Sequence, residues 1–161
     1  MEKQFLIRPA QPADADDLMR LIRALADYEK LSDMCIGTPQ MLREALFGAR
    51  RSCEALMAER NGRSVGFALY FSTFSTFLCK PGLYLEDLFV EPEQRGLGIG
   101  KALLRALASL AVDRDCGRFE WRVLDWNEPS IRFYKSLGAA IMPEWELVRM
   151  TRPQIESLAK G

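Results

Sequence analysis

The chain has 161 residues, of which 48% are hydrophobic and 27% charged, a composition typical of a soluble globular protein with a sizeable core. Its 22 lysine and arginine residues balance 22 aspartate and glutamate residues, so no net charge attracts it to nucleic acid or to an anionic membrane. It contains no histidine, which excludes histidine-based triads and most zinc hydrolase sites. Acid–base chemistry must therefore use carboxylates, tyrosine, lysine, cysteine or water.

The four cysteines are scattered and form no CxxC pair, which predicts free thiols in a reducing cytoplasm and no metal site. The first residues lack the apolar core of a signal peptide, and no apolar run reaches the length of a membrane span. No repeat or low-complexity linker interrupts the sequence. We therefore expect a cytoplasmic protein with a single domain over residues 1–161 and with no metal, nucleic-acid partner or membrane segment.

The beginning of the chain predicts a strand followed by two helices. Residues 4–10 form a short strand. Residues 11–30 place apolar side chains at helical spacing and acidic side chains in the first turn, where the helix dipole favours them. A second helix, over residues 38–47, has Thr38 as its N-cap and Pro39 at its first position.

The middle of the chain predicts a hairpin and a buried strand. Residues 53–71 form two apolar strands joined at Asn61 and Gly62, a pair typical of tight turns. A polar and aromatic loop over residues 72–82 leads into a strongly apolar strand, residues 83–90.

The remainder predicts a helix over 98–114, a strand over 118–125, a short helix over 128–138 and a closing hairpin over 139–151. A strand, a helix and a second strand in this order form a crossover unit, so strands 83–90 and 118–125 are expected to be parallel. The fold class is therefore α/β, with a mixed sheet and helices on its faces.

Two adjacent acids, Glu86 and Asp87, lie in the middle of the apolar strand. A buried, unpaired carboxylate is costly, because desolvation disfavours its charge. Neighbouring strand residues point to opposite faces of a sheet, so we expect these two side chains to have separate roles. One alternative is an ion pair between either acid and an arginine of a neighbouring strand, such as Arg122.

A glycine cluster, Gly96, Gly98 and Gly100, lies between this strand and the long helix. Glycines let backbone N–H groups approach a ligand closely, and a helix N-terminus favours anions. The cluster is therefore a candidate phosphate site, with Arg95 and Lys101 as flanking cations, or simply a tight connection. Its spacing fits neither the P-loop nor the dinucleotide fingerprint.

The hexapeptide "RGLGIG" resembles the Q/R-x-x-G-x-G/A signature of the GNAT N-acetyltransferase superfamily. The segments "FLIRPAQPADADDLMRLIRALADYEK", "LYLEDLFVEPEQRGLGIGKALL" and "VLDWNEPSIRFYKSLGA" resemble its diamine (spermidine/spermine) and thialysine acetyltransferase branch. The resemblance implies a GNAT fold, acetyl-CoA as co-substrate, direct acetyl transfer to the primary amine of a small molecule, and a homodimer.

The resemblance also implies a cofactor site in three parts. The glycine loop binds the pyrophosphate through backbone amides, the apolar strand offers backbone groups to the pantetheine arm, and the short helix contacts the pantetheine or adenosine side. The residues concerned are Leu88, Phe89, Val90, Arg95, Gly96, Leu97, Gly98, Ile99, Gly100, Lys101, Asn127, Pro129, Ser130 and Tyr134.

In the family pattern, Glu86 is the general base, acting through an ordered water, and Tyr134 is the acid that protonates the departing thiolate. Tyr134 otherwise reads as a core anchor of a short helix. The residues that the resemblance or their position brings to the acceptor are Tyr28, Glu29, Glu86, Asp87, Glu120, Trp121, Arg122 and Trp145. Alternatives are a solvated helix end for Tyr28 and Glu29, and a core position for Trp121.

The sequence departs from the polyamine-acetylating members at Thr76 and Leu78, where these carry an acid and a tryptophan. A long polycation needs spaced carboxylates, so this departure favours a shorter diamine, a thialysine-like amino acid or another small primary amine. The alternative functions are acetylation of a protein or peptide amine and a non-catalytic CoA-binding module.

Overall fold

The computed structural model describes residues 5–160. The chain divides into two compact units, Met1–Arg122 and Val123–Gly161. The predicted first strand begins at Gln4, which lies outside the described residues. Across the described chain, no helix is both long and apolar enough to cross a membrane.

The first unit is a mixed five-stranded sheet with three helices. In chain order its elements are β1 (Leu6–Pro9), α1 (Ala15–Tyr28), α2 (Pro39–Phe47), β2 (Glu54–Arg60), β3 (Arg63–Ser75), β4 (Lys80–Val90), α3 (Ile99–Asp113) and β5 (Arg118–Trp121). The strand order is β1-β2-β3-β4-β5. Neighbouring strands are antiparallel except β4 and β5, which are parallel. The predicted α/β fold class and the parallel crossover are confirmed.

Helices α1 and α2 cover one face of the sheet because both are amphipathic. Leu18 and Leu21, one helical turn apart, are fully buried in a cluster with Met57 of β2 and Phe67 of β3. Each such side chain contributes about 1.5–3 kcal/mol when buried. Helix α3 also buries a full apolar stripe but contributes none of it to this cluster, as expected if α3 covers the opposite face. The sheet is thus held between helical layers.

The predicted N-terminus of α2 is confirmed. The Oγ1 atom of Thr38 accepts a hydrogen bond from the backbone N–H of Met41 at 3.2 Å, and Pro39 occupies the first turn. A side-chain acceptor and a proline without an N–H together reduce the number of unsatisfied donors at a helix start.

The loop predicted over residues 72–82 is mostly strand. β3 continues to Ser75 and β4 begins at Lys80, so only residues 76–79 form the turn. Cross-strand pairing overrides the local turn-like composition, and the rings of Phe71 and Tyr84 stack at 5.1 Å across the two strands. Thr76 and Leu78 therefore lie at the tip of a long hairpin.

The second unit contains α4 (Glu128–Ser136) and α5 (Arg152–Lys160). The hairpin predicted over 139–151 is wrong, since these residues form no strand, and the strand predicted over 118–125 ends at Trp121. A strand needs a partner for its backbone groups and an apolar face to bury, yet the side chains of residues 140–151 are all exposed.

Candidate active site

A β-bulge lies at the two acids of β4. Asp87 faces Leu69 of β3 and Leu85 faces Tyr70, so Glu86 is an extra residue with no partner in the ladder. A bulge interrupts the alternation of side chains and re-aims them. The expectation that Glu86 and Asp87 leave opposite faces rests on that alternation, which the bulge interrupts at Glu86.

The acids of β4 are also less buried than the apolar strand suggests. Glu86 is exposed and Asp87 is half-buried. Within residues 5–160 neither carboxylate forms an ion pair, so the alternative of a structural pair with Arg122 is not observed. Two unpaired carboxylates at a bulge are available for a ligand.

The pairing of β4 with β5 ends just before the bulge, where β5 itself ends at Trp121. Their pairing covers only residues 82–85 of β4, and residues 86–90 have no strand on that side among the described residues. The free backbone groups of this segment, which contains Leu88, Phe89 and Val90, can accept an extended ligand as a sheet edge accepts a strand.

Three carboxylates interact electrostatically on this side of the unit. Burial, together with the charges of Glu86 and Glu29, raises the pKa of Asp87 to about 6. Glu29 directly follows α1 and is half-buried, and burial raises its pKa above the usual value. A cationic ligand would relieve this mutual repulsion.

The glycine loop ends at an α3 N-terminus that lacks a side-chain cap. Gly96 and Gly98 adopt left-handed conformations, with φ of +80° and +83°, and a Cβ atom at either would meet no neighbour within 4 Å. The glycines are therefore needed for backbone conformation rather than for space. The first N–H groups of α3, from Ile99 onward, suit an anion such as a diphosphate.

The Arg95 side chain links the glycine loop to α1. Its Nε atom donates a hydrogen bond to the carbonyl oxygen of Val90 at 3.0 Å. Its guanidinium lies 4.8 Å from the ring centroid of Tyr28 and 5.7 Å from that of Phe89. Arg95 thus holds the loop beside the end of α1, a contact that sequence spacing did not predict.

Lys101 lines a cleft of about 450 Å³ between the first strand region and the start of α3. The cleft also contains Gly98 and Arg105 but none of the three acids. The cationic side of the glycine loop is therefore distinct from the acidic side.

Glu91 is a site-supporting residue that the sequence analysis missed. It is buried directly after β4 and accepts hydrogen bonds from Arg20 at 2.6 Å and Arg63 at 2.8 Å. Its backbone N–H also binds the carbonyl of Val65. It thereby fixes the chain just before the glycine loop. The sequence carried no signal for this role, because the burial of Glu91 and its two arginine partners depend on tertiary packing.

The remaining acceptor candidates of this unit surround Tyr84. The Arg122 guanidinium lies 5.5 Å from its ring centroid. Burial raises the pKa of Tyr84, the charge of Arg122 lowers it, and Glu86 and Glu120 raise it, so all three charges act on this ring. Glu120 forms an ion pair with Arg118 at 2.7 Å, and Trp121 packs on Phe119 at 4.9 Å.

In the second unit, the side chain of Asn127 caps α4 by accepting a hydrogen bond from the N–H of Ser130 at 3.4 Å, with Pro129 in the first turn. Tyr134 is buried and contacts Phe133, with 5.6 Å between ring centroids. Trp145 is 75% exposed, which leaves its ring free for a ligand or a partner.

The model of the acetyltransferase (GNAT) family matches residues 21–139. The chain is 37% identical over 165 residues to a thialysine N-epsilon-acetyltransferase of Sus scrofa, covering 96% of each protein. It is 34% identical over 166 residues to a spermidine/spermine N(1)-acetyltransferase-like protein of Homo sapiens, covering 96% of this chain and 24% of that protein.

The chain belongs to the GNAT acetyltransferase family. A solved structure of an integron cassette protein from the mobile metagenome of V. cholerae matches 98% of this GNAT chain and 99% of its own, with 28% identity and a TM-score of 0.83. The predicted resemblance and the fold are confirmed, and the protein is an acyltransferase. Residues 5–160 contain no group of three acidic, cysteine or histidine side chains able to hold a metal ion.

Proposed function

We propose that the chain is an acetyl-CoA-dependent N-acetyltransferase that acts on the primary amine of a small diamine, polyamine or thialysine-like amino acid. The observation that carries this proposal is the open edge of β4 between the three acids and the glycine loop. It offers backbone groups to a pantetheine arm and amides to a pyrophosphate, beside carboxylates suited to an ammonium group.

The anion side of the proposal rests on the uncapped start of α3. Its N–H groups and the left-handed glycines Gly96 and Gly98 suit a diphosphate. Leu97, Ile99, Gly100 and Lys101 belong to the same segment, and Asn127, Pro129 and Ser130 are proposed contacts to the pantetheine or adenosine side. Acetyl-CoA supplies the thioester, whose acetyl group is the one transferred.

The chain's own residues would move two protons. An alkylammonium has a pKa of about 10.4, so a base is needed to free the amine at neutral pH. We assign this role to Glu86, directly or through water, while Asp87 and Glu29 attract the cation. The amine nitrogen then bonds to the thioester carbonyl carbon and the C–S bond breaks, while Tyr134 donates its phenolic proton to the departing sulfur. The nitrogen gives up its second proton to water as it becomes an amide, and water returns a proton to the Tyr134 phenolate.

Small acceptors are favoured over peptides by the compactness of the acid group. The charges of Glu86 and Glu29 both act on Asp87, and such a group suits a concentrated positive charge, whereas an uncharged peptide backbone gains little from it. The thialysine and spermidine/spermine names of the relatives support the same acceptor class.

We further infer that residues 1–161 act as one domain, in the cytoplasm and as a homodimer. The inference of a dimer is supported by the exposed apolar side chains of the second unit, such as Trp145 and Val148, which are 75% and 88% exposed. Light scattering coupled to size-exclusion chromatography distinguishes a dimer from a monomer.

The function is tested by measuring CoA release from acetyl-CoA with a panel of diamines, polyamines, lysine analogues and peptides. We expect release with small primary amines and a smaller rate with peptides. Release with peptides alone would replace the small-molecule proposal. CoA binding without release for any amine would indicate a non-catalytic module.

A further inference from the structure

We propose that Tyr28 is a positioning residue for acetyl-CoA: its contact with Arg95 fixes the start of the glycine loop and couples cofactor binding to the charge of the acids at the end of α1 and in β4. This inference rests on the proposed function and adds to the same site a residue that acts through another. It follows from two interactions of the last turn of α1, one with the glycine loop and one with β4.

The side chain of Arg95 is held by aromatic rings that belong to the core. Its guanidinium lies 4.8 Å from the ring centroid of Tyr28 and 5.7 Å from that of Phe89. Phe89 is buried, and Tyr28 packs against the same apolar cluster. The hydrogen bond from Nε to the carbonyl oxygen of Val90, at 3.0 Å, adds a third contact. Arg95 therefore has a defined position, and the glycine loop begins from it.

This position leaves Arg95 able to bind an anion. Among residues 5–160 it forms no ion pair. A guanidinium that lies over an aromatic ring still has N–H groups at its edge for a phosphate oxygen. The residues that follow it, Gly96 and Gly98 among them, lead to the uncapped start of α3. A shift of Arg95 would displace both a cation and the amides proposed to hold the pyrophosphate.

Asp87 lies on the face of β4 that α1 covers. Residues 87–90 pair with β3 in unbroken register, beyond the bulge, so Asp87 and Phe89 point to the same face. Phe89 is buried in the cluster that α1 helps to form, which identifies that face. The charge of Glu29 acts on Asp87. The end of α1 thus meets this part of β4 through a repulsion between acids as well as through the aromatic contact.

Tyr28 and Glu29 belong to one turn of α1. The backbone N–H of Glu29 donates to the carbonyl oxygen of Leu25 at 2.9 Å, so Glu29 continues the helix that carries Tyr28. Repulsion between Glu29 and Asp87 opposes the approach of this turn to β4, and a bound cation removes it. A closer approach favours the contact of Tyr28 with Arg95. An ammonium group and acetyl-CoA should therefore strengthen the binding of each other, since coupling between two sites is reciprocal.

Calorimetric titration with CoA tests the role of Tyr28 without turnover. Tyr28→Leu should weaken CoA binding at least about threefold, whereas Tyr28→Phe keeps the ring and should weaken it less than about twofold. In an Arg95→Gln background the further loss caused by Tyr28→Leu should vanish, because residues that act through one contact are not additive. Unchanged affinity in Tyr28→Leu, or equal losses in both backgrounds, would overturn the proposal.

Phe47→Leu is the matched control. It replaces another half-buried ring that packs on the same apolar cluster, at the end of α2. It should lower the thermal unfolding temperature about as much as Tyr28→Leu and leave the affinity for CoA unchanged. A similar loss of CoA affinity in Phe47→Leu would assign the effect of Tyr28→Leu to general destabilisation and would overturn the positioning role.

Asp87→Asn tests the coupling, because asparagine removes the repulsion as a bound cation would. It should strengthen CoA binding at least about twofold in the wild type and leave it unchanged in Tyr28→Leu. No gain in the wild type, or the same gain in both backgrounds, would overturn the coupling. If these affinities change as expected while no amine releases CoA, the proposed acetyl transfer fails and the inference stands. Turnover together with wild-type CoA affinity in Tyr28→Leu overturns only the inference.

Discussion

Glu29, which follows α1, and Asp87, in the bulged part of β4, are close enough for the charge of Glu29 to raise the pKa of Asp87. The helix end and the strand come together because α1 packs on the face of the sheet that holds Leu69, the ladder partner of Asp87. Folding thus brings together two like charges that are distant in sequence. This repulsion has a cost in the absence of a cation.

Asp87→Asn is expected to stabilise the free protein above pH 6. Folding raises the pKa of Asp87 from 3.8 to about 6, so its contribution to stability is fully present below 3.8 and is lost as the pH rises through 6. The asparagine removes that loss. We expect the free energy of unfolding to rise by about 1–3 kcal/mol at pH 8 and little at low pH, measured by urea denaturation.

The matched control is Asp33→Asn, which changes an exposed acid that forms no ion pair among residues 5–160. Its stability should follow that of the wild type at every pH. A stability difference for Asp87→Asn that is the same at both ends of the pH range would contradict repulsion as the cause.

Glu86→Gln and Tyr134→Phe are expected to reduce turnover for different reasons. The first removes the proposed base and the second the proposed acid, and groups of this kind contribute about 10²–10⁴-fold to rate. We expect kcat to fall at least tenfold in each variant, with the affinity for acetyl-CoA retained, as measured by steady-state kinetics and calorimetry. Unchanged turnover in either variant would assign that side chain a structural role.

Sequence patterns predicted α1 to α4 and the crossover because these depend on local spacing, but they did not predict α5 (Arg152–Lys160). The buried positions of α1 and the Thr38 cap, for example, are set by residues within a few positions of one another. The bulge at Glu86 depends instead on the register between β3 and β4, which no single strand encodes. The prediction of a closing hairpin was wrong because alternating apolar and polar side chains in residues 139–151 do not by themselves provide a partner strand.

The candidate site shows the same division. The glycine cluster could be recognised as a candidate phosphate site from its spacing and from the family resemblance. Gly96 and Gly98 indeed adopt left-handed conformations, which glycine tolerates best. By contrast, the contact of Arg95 with Tyr28 joins segments far apart in the chain. The same holds for Glu91 and its two arginines, since tertiary packing alone selects which charges meet.

Glu91→Gln is expected to destabilise the first unit. The carboxylate is buried and accepts from Arg20 and Arg63, so the variant leaves two arginines beside a neutral group of similar size. We expect a loss of about 1–3 kcal/mol in the free energy of unfolding. Asp17→Asn, which removes the exposed Arg20–Asp17 pair at 3.4 Å, should cost less than about 0.5 kcal/mol. Equal losses would show that burial of Glu91 is unimportant.

Gly98→Ala is expected to weaken acetyl-CoA binding through backbone strain alone. At Gly98 φ is +83° and a Cβ atom would meet no neighbour, so the methyl group does not clash but disfavours the left-handed conformation by about 1–2 kcal/mol. The first amides of α3 would shift from their positions, and we expect the KM of acetyl-CoA to rise about tenfold.

Gly62→Ala provides the control for that strain. Gly62 has φ of +73°, equally open surroundings and a place in the β2–β3 turn. Both variants should lose similar stability in thermal unfolding, but only Gly98→Ala should raise the KM of acetyl-CoA. If both raise it, general destabilisation explains the effect; if neither does, the amides of the glycine loop do not bind the cofactor.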